Sequence, residues 1–313
     1  MSDSMDAIRC QALSRSYGEV LALKSLELSV PRGAVFGFLG RNGAGKTTTI
    51  RLMTGLARPS SGDAWIMGVK TTDGDDTAKM NFGYLPEEPA FYTWMTPREY
   101  LAYIGKLFGL NKDVRQTRIE ELLDLAGLLD AAKRRIGGFS RGMRQRLGLA
   151  QSMIHRPPVL FLDEPTSALD PAGRKDVLEM IDRLRGETTV FLSSHILADV
   201  ERVCDTIGVI HEGELLLVAG REELLATHAL NVVVIEFDSN DLPVSPLLLS
   251  RLGEISWISS VLQEKNGLRI QVSDSNLAKK ALLPLILESE VTVISYQWVR
   301  PSLEDVFLSI STR

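Results

Sequence analysis

Gly40-Arg41-Asn42-Gly43-Ala44-Gly45-Lys46-Thr47-Thr48 is a glycine-rich segment from which the fold of the chain can be inferred. It fits the pattern G-x-x-x-x-G-K-[ST], whose glycines let backbone N–H groups curl around a phosphate while the following helix points its positive end at the same oxygens. Residues 34–39 form an apolar run typical of a buried parallel strand, and a helix is predicted from Lys46 to about Leu56. This order predicts a nucleoside triphosphate site in an α/β core.

The residues of this loop have distinct predicted roles. Lys46 can bridge the β- and γ-phosphates, and the Thr47 hydroxyl can ligate Mg²⁺. The other residues expected to bind the phosphates are Gly40, Asn42, Gly43, Ala44, Gly45 and Thr48.

A second apolar strand, at residues 159–163, carries the complementary acidic edge. Asp163 ends this strand and is predicted to hold the metal, commonly through water. Glu164 projects one residue further, where a carboxylate can polarise the attacking water as general base. Taken alone, an acidic turn after a strand is common, and the phosphate loop gives this one its functional interpretation.

Composition and charge exclude several classes of protein. The chain has 313 residues, a net charge of -5 and a pI near 5.6, which argues against a nucleic-acid binder with a basic face. Cys10 and Cys204 lie far apart and are expected to be reduced thiols. The acidic, polar N-terminus is unlike a secretion signal, and no apolar run reaches the roughly 20 residues that cross a bilayer. We therefore expect any membrane role to act through a partner.

The pattern along the chain predicts two domains. Short strands are expected at 7–9, 20–22 and 26–30, a helical insert at 97–155, and further strands at 189–193 and 207–210. After residue 226, strands are predicted at 231–237, 268–272 and 291–295, with helices at 276–287, interrupted by Pro284, and at 302–309. These features predict a first domain at 1–227, with a helical subdomain at about 88–156, and a small α+β domain at 228–313.

Phe139-Ser140-Arg141-Gly142-Met143 lies between the two site motifs. From about Ile8 to about Gly220, the order and content of the motifs resemble an ATP-binding-cassette (ABC) ATPase, and this segment is their most discriminating part. The resemblance implies a P-loop core with an antiparallel β subdomain and a helical subdomain. It also implies that Ser140 and the Gly142 backbone contact the γ-phosphate of ATP held by the opposite subunit of a homodimer.

The resemblance assigns three further positions. Asp170, in Ser167-Ala168-Leu169-Asp170, corresponds to the loop that communicates across the dimer. His195 corresponds to the residue that senses the γ-phosphate and holds Glu164 and its water. Tyr17, just before the early strands, matches the aromatic that stacks on adenine, with an ordinary exposed turn tyrosine as the alternative.

The sequence departs from the family pattern at two places. Arg141 and Met143 replace a glycine and a glutamine of the usual signature. Glu87 stands where the family has a glutamine near Mg²⁺; a carboxylate can bind metal, but its charge alters the electrostatics and argues against direct contact. In both departures the chain resembles the ATPase subunits that serve separate ABC-2-type membrane exporters. The tail at 301–308 also resembles the tails of such subunits.

The expected function is therefore an ATPase that uses ATP and Mg²⁺ to drive an ABC-2-type permease. It would be cytoplasmic and peripheral on the inner face of the membrane, with no nucleic acid expected. The helical insert would contact the permease at about residues 87–103. The apolar cluster there, which fits core packing equally well, consists of Phe91, Tyr92, Trp94 and Met95. The alternative is a soluble ABC ATPase acting on DNA or translation, and a P-loop small-molecule kinase leaves residues 140–143 unexplained.

Overall fold

The computed structural model describes residues 6–73, 76–167, 169–227, 231–289 and 291–299. The tail at 301–308, the helix predicted at 302–309 and Ala168 lie outside these residues. The chain divides into two compact units, Met1–Arg221 and Glu222–Arg313. The sequence places the boundary a little later, after residue 227, and helix α7 (Arg221–Thr227) runs between the two positions.

The first unit contains two sheets and six helices among its described residues. Its strands are β1 (Asp6–Tyr17), β2 (Val20–Pro31), β3 (Val35–Leu39), β4 (Ser61–Ile66), β5 (Val69–Lys70), β6 (Phe82–Leu85), β7 (Val159–Asp163), β8 (Thr189–Ser194), β9 (Thr206–His211) and β10 (Glu214–Gly220). Its helices are α1 (Lys46–Met53), α2 (Pro97–Leu107), α3 (Lys112–Leu125), α4 (Arg141–Ser152), α5 (Pro171–Asp182) and α6 (Leu197–Val203). Short 3-10 turns lie at Asp76–Asn81 and Ile136–Gly138.

The central sheet positions the site. Its strand order is β10-β9-β3-β8-β7-β6, and all its pairs are parallel except β10 with β9. Phe36, Phe38, Phe161 and Phe191 are fully buried within it. Because the carboxyl ends of β3, β7 and β8 meet at one edge, the phosphate loop, Asp163 and the segment after β8 lie together.

The second sheet of this unit is antiparallel, in the order β2-β1-β4-β5. The prediction of short early strands is wrong, since β1 and β2 each span 12 residues. Bulges explain the error, because the register shifts along the pair and Ala12 and Ser25 have positive φ of 47° and 46°. Each bulge interrupts the alternation of apolar and polar residues by which a strand is recognised. Tyr17 consequently ends β1 and does not precede the strands.

The helical insert lies between β6 and β7 and consists of α2, α3 and α4. Thr96 caps α2 in a reciprocal arrangement with Glu99, Asn111 caps α3, and Ser140 caps α4. Within the described part of the chain, no helix combines the length and apolar character needed to span a bilayer.

The second unit has the element order β11 (Asn231–Phe237), α8 (Pro246–Gly253), β12 (Ile258–Glu264), β13 (Gly267–Val272), α9 (Ser275–Leu287) and β14 (Val293–Val299). Its antiparallel sheet has the order β12-β13-β11-β14, the arrangement of the split βαβ or ferredoxin-like fold. The core lies between the sheet and the two helices. The expected interruption at Pro284 is wrong, because α9 continues through it with Ala278, Leu282 and Ile286 buried on the sheet side. This apolar face stabilises the helix despite the missing N–H.

Candidate active site

The phosphate loop joins the end of β3 to the start of α1. Gly43 and Gly45 adopt φ of 85° and 106°, the left-handed region that favours glycine. A side chain on Gly45 would also approach the Ala22 carbonyl oxygen to 2.7 Å. No described side chain caps the N-terminus of α1, so the first N–H groups of this helix have neither an intrahelical partner nor a side-chain cap. The backbone thus presents the donors that a phosphate requires.

Lys46 begins α1, and its side chain, which reaches back to the start of the loop, leaves the residue 5% exposed. Its Nζ donates to the Gly40 carbonyl oxygen at 2.6 Å and to that of Arg41 at 3.2 Å. It also forms an ion pair with Glu164 Oε1 at 3.0 Å. Burial of this ammonium is compensated by three oxygen partners, which hold it where phosphate oxygens would arrive.

Asp163 ends β7 with 2% of its surface exposed. Its Oδ1 accepts from the Ser193 hydroxyl at 2.7 Å and from the Thr47 hydroxyl at 3.2 Å. Burial raises the pKa of Asp163; the two hydroxyls oppose this change, and the nearby charges of Glu164 and Glu87 add to it. The carboxylate and the Thr47 hydroxyl form a pair of oxygen ligands suited to a hard cation.

Glu164 follows Asp163 and turns sharply into the site. Its φ of 47° is left-handed, and its backbone N–H is held by the Ser193 carbonyl oxygen at 3.2 Å and hydroxyl at 3.0 Å. The carboxylate lies between two side chains. The Lys46 ammonium contacts Oε1, and His195 Nδ1 lies 2.8 Å from Oε2. His195 is 40% exposed at its side chain, so it borders solvent while orienting a buried carboxylate.

A cavity of about 320 Å³ is lined by most of the residues that the sequence predicts to form the nucleotide site. Its lining comprises Ala22, Asn42, Gly43, Gly45, Lys46, Thr47, Thr48, Glu87, Glu164 and His195. Gly40 and Ala44 belong to the same loop but not to this lining. Glu87 also accepts a hydrogen bond from the Ser167 hydroxyl at 3.1 Å, which joins the loop after β6 to the loop after β7.

Tyr17 and the signature residues lie outside this lining. Tyr17 is 46% exposed, with the Arg15 guanidinium carbon 4.5 Å from its ring centroid. Ser140 accepts from the Met143 N–H at 3.2 Å, and Asp170 caps α5 by accepting from the Gly173 N–H at 3.0 Å. The structure therefore brings together the loop, the acidic edge and His195, and leaves these four positions, Gly142 included, on other surfaces.

Two features were missed from the sequence. Ser193 bridges Asp163 and the Glu164 backbone, and its pairing with Asp163 follows from the β7–β8 register. Arg141 forms an ion pair with Glu88 at 3.3 Å. The two places where the sequence departs from the family pattern, Arg141 and Glu87, are therefore linked through Glu88, the residue next to Glu87. A serine at the end of a predicted buried strand was the available signal for Ser193. For the exposed Arg141–Glu88 pair, the sequence offered none.

Comparison with known proteins gives two family matches. Residues 23–167 match the ABC transporter family model, and residues 221–311 match that of the ATP-binding protein DrrA1-3-like, C-terminal domain. The chain is 38% identical to the ABC transporter ATP-binding protein YxlF of Bacillus subtilis (strain 168), over 96% of this chain and 98% of the relative. It is 36% identical to the bacitracin transport ATP-binding protein BcrA of Bacillus licheniformis, over 97% and 96%.

Two solved structures share the fold of the first unit. The ATP-binding subunit of an ABC transporter superposes with a TM-score of 0.64 at 30% identity, covering 71% of this chain and 92% of that chain. The dimeric bacterial ABC transporter cassette MJ0796 gives 0.62 at 24% identity, covering 68% and 98%.

Proposed function

The chain belongs to the ABC transporter ATP-binding proteins, and we propose that two copies of it power a separate ABC-2-type permease. It is an ATP-binding, ATP-hydrolysing subunit of an exporter-type system, since its C-terminal match and relatives are of that type. This classification leaves no support for the alternative role on DNA or translation. The proposal comprises the pairing with a permease, the dimer in which two copies enclose two ATP molecules, and the role of each residue.

The single observation that carries the proposal is the environment of Glu164. Its carboxylate is 6% exposed, is held by Lys46 on one oxygen and by His195 on the other, and faces the cavity behind the phosphate loop. A general base must be fixed within hydrogen-bond reach of the water that it activates. Glu164 accepts a proton from the attacking water, and His195 keeps the accepting oxygen aimed at it.

The phosphates of ATP bind amides of the phosphate loop other than those of Gly40 and Ala44, which donate to the carbonyl oxygens of Ser194 and Arg41. Lys46 exchanges some of its three present oxygen partners for β- and γ-phosphate oxygens when ATP binds. The Thr47 hydroxyl and Asp163 fit Mg²⁺, a cation that keeps several waters and uses few protein oxygens. Bound there, Mg²⁺ would neutralise charge on the transferring phosphoryl group. Glu87, hydrogen-bonded to Ser167, stands close enough to raise the pKa of Asp163 and adds negative charge to this edge.

A second copy supplies the remaining contacts. Ser140, Gly142 and Asp170 sit at or beside the N-termini of α4 and α5, away from their own chain's cavity. Helix N-termini attract anions, so Ser140 and the Gly142 backbone suit the γ-phosphate of ATP bound by the other copy. The Asp170 carboxylate, which caps α5, belongs to the loop assigned to communication across the dimer. Tyr17 is 46% exposed, and its ring would stack on adenine beside the Arg15 guanidinium that already contacts it. The dimeric arrangement of the MJ0796 cassette supports this assembly.

The permease would dock on the helical insert. Tyr92 and Trp94 are 50% and 64% exposed, and their rings lie 6.0 Å apart. Phe91, Tyr100 and Tyr103 extend the cluster by edge contacts. Tyr100 is buried, whereas Tyr92, Trp94 and Tyr103 are exposed, and an exposed aromatic surface of this kind suits a partner protein. Docking there would place the chain on the inner face of the cell membrane, and the transported compound would contact the permease.

The test is Glu164→Gln. We expect hydrolysis to fall by roughly 10²- to 10⁴-fold, because the amide cannot act as a base, while ATP binding persists. Gel filtration with ATP and Mg²⁺ should show a stable dimer. The control is Glu214→Gln, an exposed carboxylate on β10, which should hydrolyse ATP normally and remain in the wild-type oligomeric state. Wild-type hydrolysis by the Glu164 variant would refute the assignment of the base.

A further inference from the structure

A cluster of side chains around one buried carboxylate has no part in the roles assigned above. Asp199, in the first turn of α6, is 1% exposed. Its Oδ2 accepts from the Thr166 hydroxyl at 2.5 Å, and its Oδ1 accepts from Arg174 Nε at 2.5 Å. These three residues are called the Asp199 cluster. None of them lines the nucleotide cavity.

The Asp199 cluster joins three segments, each of which carries a predicted site residue. Thr166 lies two positions after Glu164. Arg174 lies in the first turn of α5, where its N–H donates to the carbonyl oxygen of Asp170 at 2.9 Å. Helix α6, which contains Asp199, begins two residues after His195. One carboxylate therefore connects the base, its orienting histidine and the residue assigned to the dimer surface.

The turn at Glu164 needs such support. A left-handed φ costs a residue other than glycine roughly 1–2 kcal/mol, and it persists only where the surroundings hold it. Ser193 holds the N–H of Glu164, and the Ser167 N–H donates to its carbonyl oxygen at 3.1 Å. Thr166, which lies between Glu164 and Ser167 in the chain, donates a hydrogen bond to Asp199. A buried carboxylate is costly to retain for stability alone, since apolar residues often stabilise such positions equally well.

We propose that Asp199 is a positioning residue for ATP hydrolysis. Through Thr166 and Arg174 it holds the turn that carries Glu164, and the start of α5, against the helix that follows His195. This inference rests on the proposed function, in which Glu164 is the general base. Asp199 touches no reacting group, so its effect should appear in the rate of hydrolysis and not in the binding of nucleotide.

The experiment compares Asp199→Asn with the wild-type full-length chain. The amide keeps the volume but loses the charge that Arg174 neutralises, so the turn should shift. We expect kcat to fall roughly 10- to 100-fold, the range that small misplacements of catalytic groups produce. The Kd of a fluorescent ATP analogue should stay at the wild-type value, because the phosphate loop is intact. Asp199→Glu, which restores the carboxylate, should recover part of kcat.

Glu179→Gln is the matched control. Glu179 on α5 pairs with Arg202 on α6 at 3.6 Å, so it joins the same two helices at an exposed position. This variant should keep wild-type kcat and Kd. If Asp199→Asn hydrolysed at the wild-type rate, or lost rate and nucleotide affinity together, the proposal would be overturned.

A second variant tests the proposal even if the Asp199→Asn protein does not fold. Thr166→Val removes only the hydroxyl that reaches Asp199 and leaves the Arg174 pair in place. It should lower kcat at unchanged Kd, and a wild-type kcat would overturn the proposal. Failure of the underlying function is visible separately, because Glu164→Gln would then hydrolyse ATP normally in the same assay, whatever the Asp199 variants do.

Discussion

The two units of the chain differ in what they bury. The first removes four charged side chains almost completely from solvent: Lys46, Asp163, Glu164 and Asp199. In the second, Gln271 is the one buried polar side chain among those described, and the core is otherwise apolar. Because burying charge costs free energy unless partners compensate it, such residues concentrate where chemistry requires them. The first unit is organised around a reaction, and the second around packing.

The largest effect on stability is expected from Leu282→Ala in the second unit. Leu282 is fully buried on α9, so its truncation should destabilise that unit by about 2–5 kcal/mol. If the units have separate roles, ATP hydrolysis by the first should persist. Hydrogen exchange followed by mass spectrometry should show lost protection in residues 231–289 and unchanged protection in the central sheet.

Leu277→Ala provides the control for this variant, since Leu277 lies on the same helix with 44% of its surface exposed. Its effect on stability should be within about 0.5 kcal/mol. Loss of hydrolysis in parallel with protection in the Leu282 variant would contradict the separation of roles.

A smaller effect is expected at two matched helix caps. Ser140 caps α4 in the first unit, and Ser245 caps α8 in the second by accepting from the Leu247 N–H at 3.3 Å. Replacement of either serine by alanine should cost about 1 kcal/mol of stability in urea unfolding, through loss of the cap. Ser140→Ala should in addition lower steady-state hydrolysis, because its hydroxyl is assigned to the second copy's ATP. Equal hydrolysis in the two variants would refute that assignment.

The smallest effect concerns pH. His155 stacks on Phe108, and its Nε2 lies 3.1 Å from the Phe82 carbonyl oxygen. Burial lowers the pKa of His155 from its ordinary 6.5; Arg118 adds to this, and the hydrogen bond to Phe82 opposes it. Since the folded pKa is the lower one, the stability that His155 contributes is present above pH 6.5 and is lost as the pH falls through the folded value.

His155→Gln should remove this contribution. The free energy of unfolding of the first unit, measured at about pH 7 and about pH 5.5, should then change less with pH than in the wild type, by under about 1.4 kcal/mol per pH unit. Lost stacking on Phe108 lowers stability equally at both values. The same pH dependence in variant and wild type would show that His155 does not titrate differently on folding.

Local patterns predicted many elements well. The strands expected at 159–163 and 231–237 are β7 and β11 with the same bounds, and the phosphate loop joins β3 to α1 as expected. Each has an uninterrupted apolar run or a glycine pattern that acts within a few residues. The elements that were not predicted are strands β4, β5, β6, β10 and β12 and helices α5, α6, α7 and α8. Most of them are short or half-exposed and gain most of their stability from neighbours.

The sequence by itself determined the nucleotide site, because the glycines, Lys46, Thr47 and the acidic strand end act through local spacing. The family resemblance already placed His195 beside Glu164, and the folded chain adds the other contacts that hold this carboxylate. Its partners Lys46, Ser193 and His195, and the cluster around Asp199, come from segments far apart in the chain. Which side chains meet at the carboxyl edge depends on the order and register of β3, β7 and β8. That register is set by packing of the whole sheet, and no local spacing encodes it.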